Sequence, residues 1–178
     1  MMREQQSELA WHAWAAGFID GEGSIQIARS RKAKPNAEPK KRIMNDQIYL
    51  YMRACQVDPR PLEILQKMYG GSLFLRSPRG DQRIKSKRPQ WIWTVSGKSA
   101  YAAIKLMGPW LIVKAERAEI ALRFHELCYM EPGSNTRALR PDGCPGRLTE
   151  EQAGLRRDFY LQMKALQMKG PQQSEMVN

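Results

Sequence analysis

Ala15-Ala16-Gly17-Phe18-Ile19-Asp20-Gly21-Glu22-Gly23-Ser24 carries the strongest structural signal in this sequence, because a helical pattern runs through it and stops at glycines before an extended segment. Small residues stand four apart at Ala13, Gly17 and Gly21. They share one helix face, so a second backbone can approach it closely. Asp20 and Glu22 stand at the C-terminal end, where the helix dipole disfavours negative charge. A divalent cation would account for both acids, since carboxylates and unpaired terminal carbonyls are hard ligands; a surface turn between glycines is the alternative.

Alternating segments predict four strands in two hairpins. They place apolar side chains on one face and polar or aromatic ones on the other in 24–32, 47–54, 72–76 and a segment around residue 92. Helical periodicity covers 7–20, 60–69, 98–107 and 110–128. A last helix is predicted after Thr149, whose spacing to Gln152 is that of a capping box. The predicted order is helix, two strands, helix, two strands, then helices.

The charge balance points to a polyanionic partner. The 178 residues are 42% hydrophobic, so the chain is expected to fold. Their net charge of +11 favours nucleic acid as the partner over an anionic membrane surface. Basic residues concentrate in two clusters, with seven against one acid in 29–42 and six against one acid in 76–88. Each cluster contains proline or glycine, which predicts a loop between flanking strands.

Several classes of protein are disfavoured. No apolar run approaches the ~18 residues of a membrane span, and the N-terminus lacks the core of a signal peptide. Three cysteines without C-x-x-C spacing argue against a disulfide framework or a zinc site and suit a reducing interior. His12 and His125 have no metal-ligand spacing, so they are interpreted as packing or surface residues. The tryptophans are interpreted as core rather than as stacking platforms, namely Trp14, Trp91, Trp93 and Trp110.

The first stretch resembles the LAGLIDADG motif of homing endonucleases. Residues 16–20 and 23 match it closely, with Phe18 for the usual Leu and Gly21 for Ala. Ala15 stands where Leu is usual, which shortens one packing side chain and changes no chemical group. Glu22 replaces the second Asp of the motif, the acid that binds Mg²⁺ in the family. The resemblance therefore implies that the Glu22 carboxylate and the Gly21 carbonyl hold metal.

The resemblance extends over about residues 9–128. Gln56 is similar to the strand-end Gln of the family, and Arg60 is the basic residue four positions later. Pro109-Trp110-Leu111 followed by Lys114 resembles the element whose lysine lies near the cleaved phosphate. The implied catalytic residues are Glu22, Gln56, Arg60 and Lys114. The implied fold is α+β, an αββαββα arrangement with a saddle-shaped antiparallel sheet on DNA and helices on its other face, plus a C-terminal helix.

The expected organisation is a core over 1–128, a connector and C-terminal helix of the same domain over 129–169, and a disordered tail over 170–178. A single motif copy implies a homodimer whose interface is formed by Ala13, Gly17, Phe18 and Gly21. Such an enzyme makes a metal-dependent double-strand break with short 3′ overhangs in a long pseudo-palindromic site. Mg²⁺ is the expected cofactor, with Mn²⁺ also supporting cleavage and Ca²⁺ supporting binding only.

The polar sheet face is expected to lie along the major groove as a β-ribbon reader of double-stranded DNA. Candidate DNA-contacting residues on it are Gln26, Ser30, Lys32, Gln47, Tyr49, Tyr51, Arg53, Arg76 and Gln90. The expected location is intracellular: the cytoplasm of a bacterium or its phage, or an organelle interior. An intron-RNA-binding maturase and a DNA-binding regulator on the same fold are the alternatives.

Overall fold

The computed structural model describes residues 2–32, 45–76, 88–133 and 148–168. The predicted order of elements is confirmed. The helices and strands are α1 (Met2–Glu22), β1 (Gly23–Lys32), β2 (Asn45–Gln56), α2 (Arg60–Tyr69), β3 (Ser72–Arg76), β4 (Gln90–Ser96), α3 (Gly97–Met107), α4 (Ala115–His125) and α5 (Glu150–Met168). A 3-10 turn, Gly108–Trp110, precedes α4, and a π-helix, Glu126–Met130, follows it.

The four strands form one antiparallel sheet in the order β1-β2-β4-β3. One face is buried against the helices and carries the core residues Ile25, Ile27, Leu50, Met52 and Val95. Trp93 lies fully buried among them, and its Nε1–H donates to the carbonyl of Gly70 at 2.8 Å. The alternation in the sequence therefore assigns the two faces of the sheet correctly. It does not specify that β2 and β4 pair at the centre.

Two glycines end α2, as their position in the sequence predicts. Gly70 and Gly71 adopt positive φ angles of 71° and 92°. A Cβ at Gly71 would stand 2.5 Å from the carbonyl oxygen of Thr94, so only glycine fits between this turn and β4.

The prediction of one helix over 110–128 is wrong at its start, whereas its end is helical but of a different type. Leu111 is extended and buried, α4 begins only at Ala115, and the chain continues past His125 as a π-helix. The physical reason at the start is a contact from another element. A carboxylate on α1 accepts the backbone N–H groups of residues 112–114, so these groups need no helical partners.

The C-terminal helix α5 packs against α4 and β1. Thr149 and Gln152 form the predicted capping box, with reciprocal bonds of 3.0 and 3.2 Å. Phe159 and Met163 are buried, and the buried Arg156 donates to the carbonyl of Cys128 at 2.7 Å. Within the described ranges, no helix is long and apolar enough to cross a membrane. The tail 170–178 lies outside the described residues.

Candidate active site and nucleic-acid face

Asp20 has a structural role at the end of α1. Its Oδ2 accepts the N–H groups of Ile112 at 2.6 Å and Val113 at 3.0 Å, and its Oδ1 accepts that of Lys114 at 2.9 Å. Three bonds from one turn fix the segment that leads into α4. Asp20 therefore needs no cation to explain its position, and the hypothesis of a bound cation remains for Glu22 alone.

Lys114 lies against the same helix end. Its side chain is only 8% exposed, and Nζ donates to the backbone carbonyl of Asp20. Burial lowers the pKa of this ammonium, although the negative charges of Asp20 and Glu22 oppose that shift. A cation at the C-terminus of a helix also stabilises the dipole. A solvated helix lysine, the ordinary interpretation of Lys114 from sequence, is thereby excluded.

Glu22 differs from Asp20 in its contacts. Its side chain is exposed, and no hydrogen bond or ion pair joins it to another residue in the described part of the chain. Gly21 is exposed beside it and contributes one of the terminal carbonyls that helix geometry leaves unpaired. These two oxygen donors suit a hard divalent cation. They do not complete a site, because the described residues contain no group of three or more His, Cys, Asp or Glu that could hold a metal.

The strand pairing brings Gln56 to this junction. Gly23, the first residue of β1, pairs with Ala54 of β2, so the last residues of β2 run beside the end of α1. Arg60, at the start of α2, is 83% exposed and bonds to the carboxylate of Asp58 through Nε at 2.9 and 3.0 Å. The structure therefore gathers Glu22, Gln56 and Lys114 around one junction and ties the guanidinium of Arg60 to Asp58.

The candidate DNA-contacting residues share the face of the sheet that points away from the helices. Gln26 stands opposite Tyr51, Ser30 opposite Gln47, and Arg76 opposite Gln90. Tyr51 donates to Gln26, and the Arg53 guanidinium lies 5.5 Å from the Tyr51 ring centroid. Arg53 also has a buried Nε with no partner among the described residues. We call this surface, formed by Gln26, Gln47, Tyr49, Tyr51, Arg53, Arg76 and Gln90, the polar sheet face.

Parts of the predicted DNA surface lie outside the described residues. The backbones of Ser30 and Lys32 belong to β1, but their side chains are not among those described. Residues 33–44 and 77–87, which contain most of the two basic clusters, are likewise outside the described ranges.

The small-residue face of α1 has no partner within the described chain. Gly17 and Gly21 are exposed, and a Cβ added at either would meet no atom within 4 Å. Ala13 and Phe18 are half-buried, and Phe18 stacks on Trp14 with ring centroids 5.6 Å apart. Sequence reasoning missed two further residues beside this face. Ile112 and Val113 were predicted to lie within a helix, yet they are 85% and 76% exposed next to Asp20.

Both histidines are packing residues, as predicted. His12 Nδ1 lies 2.8 Å from the Tyr69 hydroxyl, and its ring stacks on Trp110. His125 is buried between the rings of Tyr101 and Tyr129. Trp93 is fully buried, and Trp14, Trp91 and Trp110 are partly buried against the core, in line with the prediction for the tryptophans.

No family model and no curated protein matches the sequence. Solved structures share its fold. The homing endonuclease I-CvuI, in complex with its target in the presence of 2 mM Ca, has a TM-score of 0.57 and 18% identity over 93% of this chain and 87% of that one. I-CeuI, a group I intron-encoded homing endonuclease complexed with DNA, has a TM-score of 0.56 and 14% identity over 93% and 70%. The I-SmaMI LAGLIDADG homing endonuclease, bound to cleaved DNA, has a TM-score of 0.55 and 16% identity over 85% and 43%.

Proposed function

Because the chain has the fold of the LAGLIDADG homing endonucleases, we propose that it is a site-specific DNA endonuclease that acts as a homodimer with a divalent metal ion. The observation that carries this proposal is the contrast between two acids. Asp20 is used within the chain by three backbone N–H groups, whereas Glu22 is exposed and makes no hydrogen bond or ion pair with a described residue, although its charge acts on the Lys114 ammonium. An exposed acid at the negative end of a helix with no hydrogen-bonded partner needs another explanation, and a metal ion supplies one.

Double-stranded DNA as substrate is supported by the polar sheet face and by charge. A two-stranded ribbon fits the major groove, and its side chains read base edges while basic loops contact phosphates. Arg53 and Arg76 have the fork that suits guanine, whereas Gln26 and Gln47 suit adenine. The net charge of +11 supplies the attraction to phosphate.

A homodimer is supported by the exposed surface at the end of α1. Gly17 and Gly21 leave room for a second backbone, and the apolar side chains of Ile112 and Val113 lie uncovered beside them. Two copies related by a two-fold axis would bring two Glu22 carboxylates together and read a pseudo-palindromic site of about 20 base pairs.

Each residue at the junction would have its own role in phosphodiester hydrolysis. Glu22 and the Gly21 carbonyl would hold the metal ion, with further ligands from the second copy and from DNA. A bound metal ion supplies activation of water and stabilisation of the leaving oxygen. Gln56 would orient that water, and Arg60, after exchange of Asp58 for phosphate, would position the DNA backbone. Lys114 offsets negative charge at the junction from its buried position behind α1.

Further features of the proposed reaction come from the resemblance to the family. We expect short 3′ overhangs, with Mg²⁺ as cofactor and Mn²⁺ as an effective substitute. In Ca²⁺ we expect the protein to bind its site without cutting it. Intron RNA binding and gene regulation are the outcomes against which this proposal is tested.

The decisive experiment is cleavage of a randomised plasmid library in Mg²⁺ by the wild type, Glu22→Gln and Glu119→Gln. Glu119 is an exposed glutamate on α4, so its variant is the matched control for loss of one surface carboxylate. We expect the wild type and Glu119→Gln to cut one pseudo-palindromic site, and Glu22→Gln to bind that site in Ca²⁺ without cutting in Mg²⁺. Equal cutting by all three would remove Glu22 from the mechanism. Binding without any cutting, with preference for a structured intron RNA, would favour the maturase.

A further inference from the structure

A cavity lies at the edge of the sheet, away from the α1 junction. Its volume is about 570 Å³, within the range of small-molecule sites. The walls are formed by Tyr49 on β2, Lys98 and Tyr101 on α3, and His125, Tyr129 and Met130 around the π-helix. A π-helix is rare and is often found at functional sites. None of the proposed catalytic residues lines this cavity.

The cavity exists because β2 extends past the end of its pairing with β4. Only Tyr51–Gln56 of β2 pair with β4, so the preceding residues have β1 on one side and none of the described strands on the other. Tyr129 covers this open edge, where its hydroxyl donates to the carbonyl of Ile48 at 3.0 Å. Tyr49 belongs both to the cavity wall and to the polar sheet face, so the cavity opens beside the surface proposed to contact DNA.

Stacked rings form the inner wall. The centroid of His125 lies 4.7 Å from that of Tyr101 and 5.2 Å from that of Tyr129, with the three rings nearly parallel. Arg156 covers the outer face of Tyr129 at 4.6 Å, and Lys105 lies over Tyr101 at 5.9 Å. With the faces of the tyrosine rings covered, the rings offer their electropositive edges to the cavity. A planar π-system packs well on such edges.

Polar groups stand at two places in this apolar wall. His125 is only 7% exposed, and its Nδ1 is buried with no hydrogen-bond partner in the part of the chain that the structure describes. An unpartnered buried nitrogen costs free energy, which a ligand N–H or O–H can recover once a turn of the His125 ring brings this nitrogen to the cavity surface. At the rim, α3 begins at Gly97 with no acid in its first turn, no side-chain cap from Ser96, and Lys98 exposed. The first turn of this helix and its lysine suit a phosphate.

We propose that this cavity binds one unstacked nucleotide of a nucleic-acid strand, with the base against the Tyr101–His125–Tyr129 stack and a phosphate at the start of α3. The wall and the rim together indicate the ligand. A flat apolar wall with one buried nitrogen accepts a heterocyclic base, and the rim at the start of α3 accepts an anion. A strand is favoured over a free nucleotide because Tyr49 connects the cavity to the polar sheet face. This proposal rests on the proposed contact of the polar sheet face with nucleic acid, and not on cleavage by Glu22.

The test uses the full-length protein in EDTA and a fluorescein-labelled single-stranded DNA decamer. Met130→Trp, at an exposed wall position, fills the cavity, and Lys98→Glu reverses the charge at its rim. Lys67→Glu is the matched control, because it makes the same charge change at an exposed residue of α2 that neither lines the cavity nor contacts its rings. We expect Met130→Trp to weaken decamer binding about two- to tenfold, the scale of losing one edge-to-face aromatic contact. Lys98→Glu should weaken binding several-fold more than Lys67→Glu.

Amide NMR locates the binding site directly, in the wild type and in Met130→Trp. We expect the decamer to shift the signals of Gly97, Lys98 and Tyr129 in the wild type and not in Met130→Trp. Shifts confined to the polar sheet face would overturn the proposal, as would equal effects of Lys98→Glu and Lys67→Glu. If 5′-AMP alone shifted the same signals with the affinity of the decamer, the cavity would be a site for a free nucleotide and the strand would be excluded.

Discussion

At the scale of single residues, two acids two positions apart have opposite relations to the fold. Asp20 satisfies three backbone N–H groups of another segment, and Glu22 satisfies no described group. In the sequence both are acids at a helix C-terminus, where each carries the same small electrostatic cost. Their roles separate only because the turn at residues 112–114 reaches one of them.

Asp20→Asn is therefore expected to destabilise the protein, whereas Glu22→Gln is not. The amide retains one acceptor oxygen and places an NH₂ group where backbone N–H groups now donate. We expect the free energy of unfolding to fall by about 1–3 kcal/mol in Asp20→Asn and to stay within about 0.5 kcal/mol in Glu22→Gln. Urea denaturation at one protein concentration measures both. Superimposable curves for the wild type and Asp20→Asn would contradict the structural role of that carboxylate.

At the scale of elements, α1 has one face in the core and another face that is exposed. Ala15, Ala16 and Ile19 are fully buried in the core of the chain, while Gly17 and Gly21 lie open on another side. Helix formation alone disfavours glycine by about 1 kcal/mol relative to alanine, so two glycines here are unfavourable for an isolated chain. The proposed homodimer would explain their presence, because close approach of a second helix needs the absence of side chains.

Gly17→Arg is expected to leave the single chain folded and to abolish the dimer. The added side chain meets no atom within 4 Å at its Cβ, and a helix favours arginine over glycine. Sedimentation should give a monomer for Gly17→Arg and a dimer for the wild type, with loss of double-strand cleavage in the variant. Gly154→Arg is the matched control, since the same change on α5 also has open space at its Cβ. A dimeric Gly17→Arg would place the interface elsewhere.

At the scale of the whole molecule, the basic clusters are separated from the apolar segments along the sequence. The described sheet buries its apolar face under five helices, and the basic clusters of 29–42 and 76–88 span the sequence that connects β1 to β2 and β3 to β4. A net charge of +11 on a chain of this size repels itself, which is tolerable when a polyanion neutralises it.

DNA binding should accordingly weaken steeply with salt. For six to ten phosphate contacts, affinity is expected to fall by about 10³–10⁵ between 50 and 200 mM salt. Replacing Lys40, Lys41 and Arg42 together with alanine should reduce the slope of log affinity against log salt by about 3. Lys105→Ala, on the helical side, should leave it unchanged. Fluorescence anisotropy in Ca²⁺ measures these slopes, and an unchanged slope in the triple variant would remove that cluster from the DNA contact.

Short-range patterns in the sequence were sufficient to predict much of the fold. Period-two alternation around Leu50 and Trp93 assigned the buried face of the sheet, Gly70-Gly71 ended α2, and Thr149 with Gln152 capped α5. These signals could be interpreted from the sequence because each depends on residues within a few positions of one another. The resemblance around Glu22 likewise predicted the order of helices and strands.

Long-range contacts accounted for the rest. The break before α4 depends on a carboxylate more than ninety positions away, the burial of Lys114 depends on the end of α1, and the exposure of Ile112 and Val113 follows from both. The cavity beside Tyr129 depends on β2 extending past β4, which no local pattern encodes. Sequence periodicity specifies which face of an element is apolar. Which distant group satisfies an N–H, covers a strand edge or leaves a side chain exposed is fixed only when the elements pack, because hydrogen bonding and burial depend on distance in space.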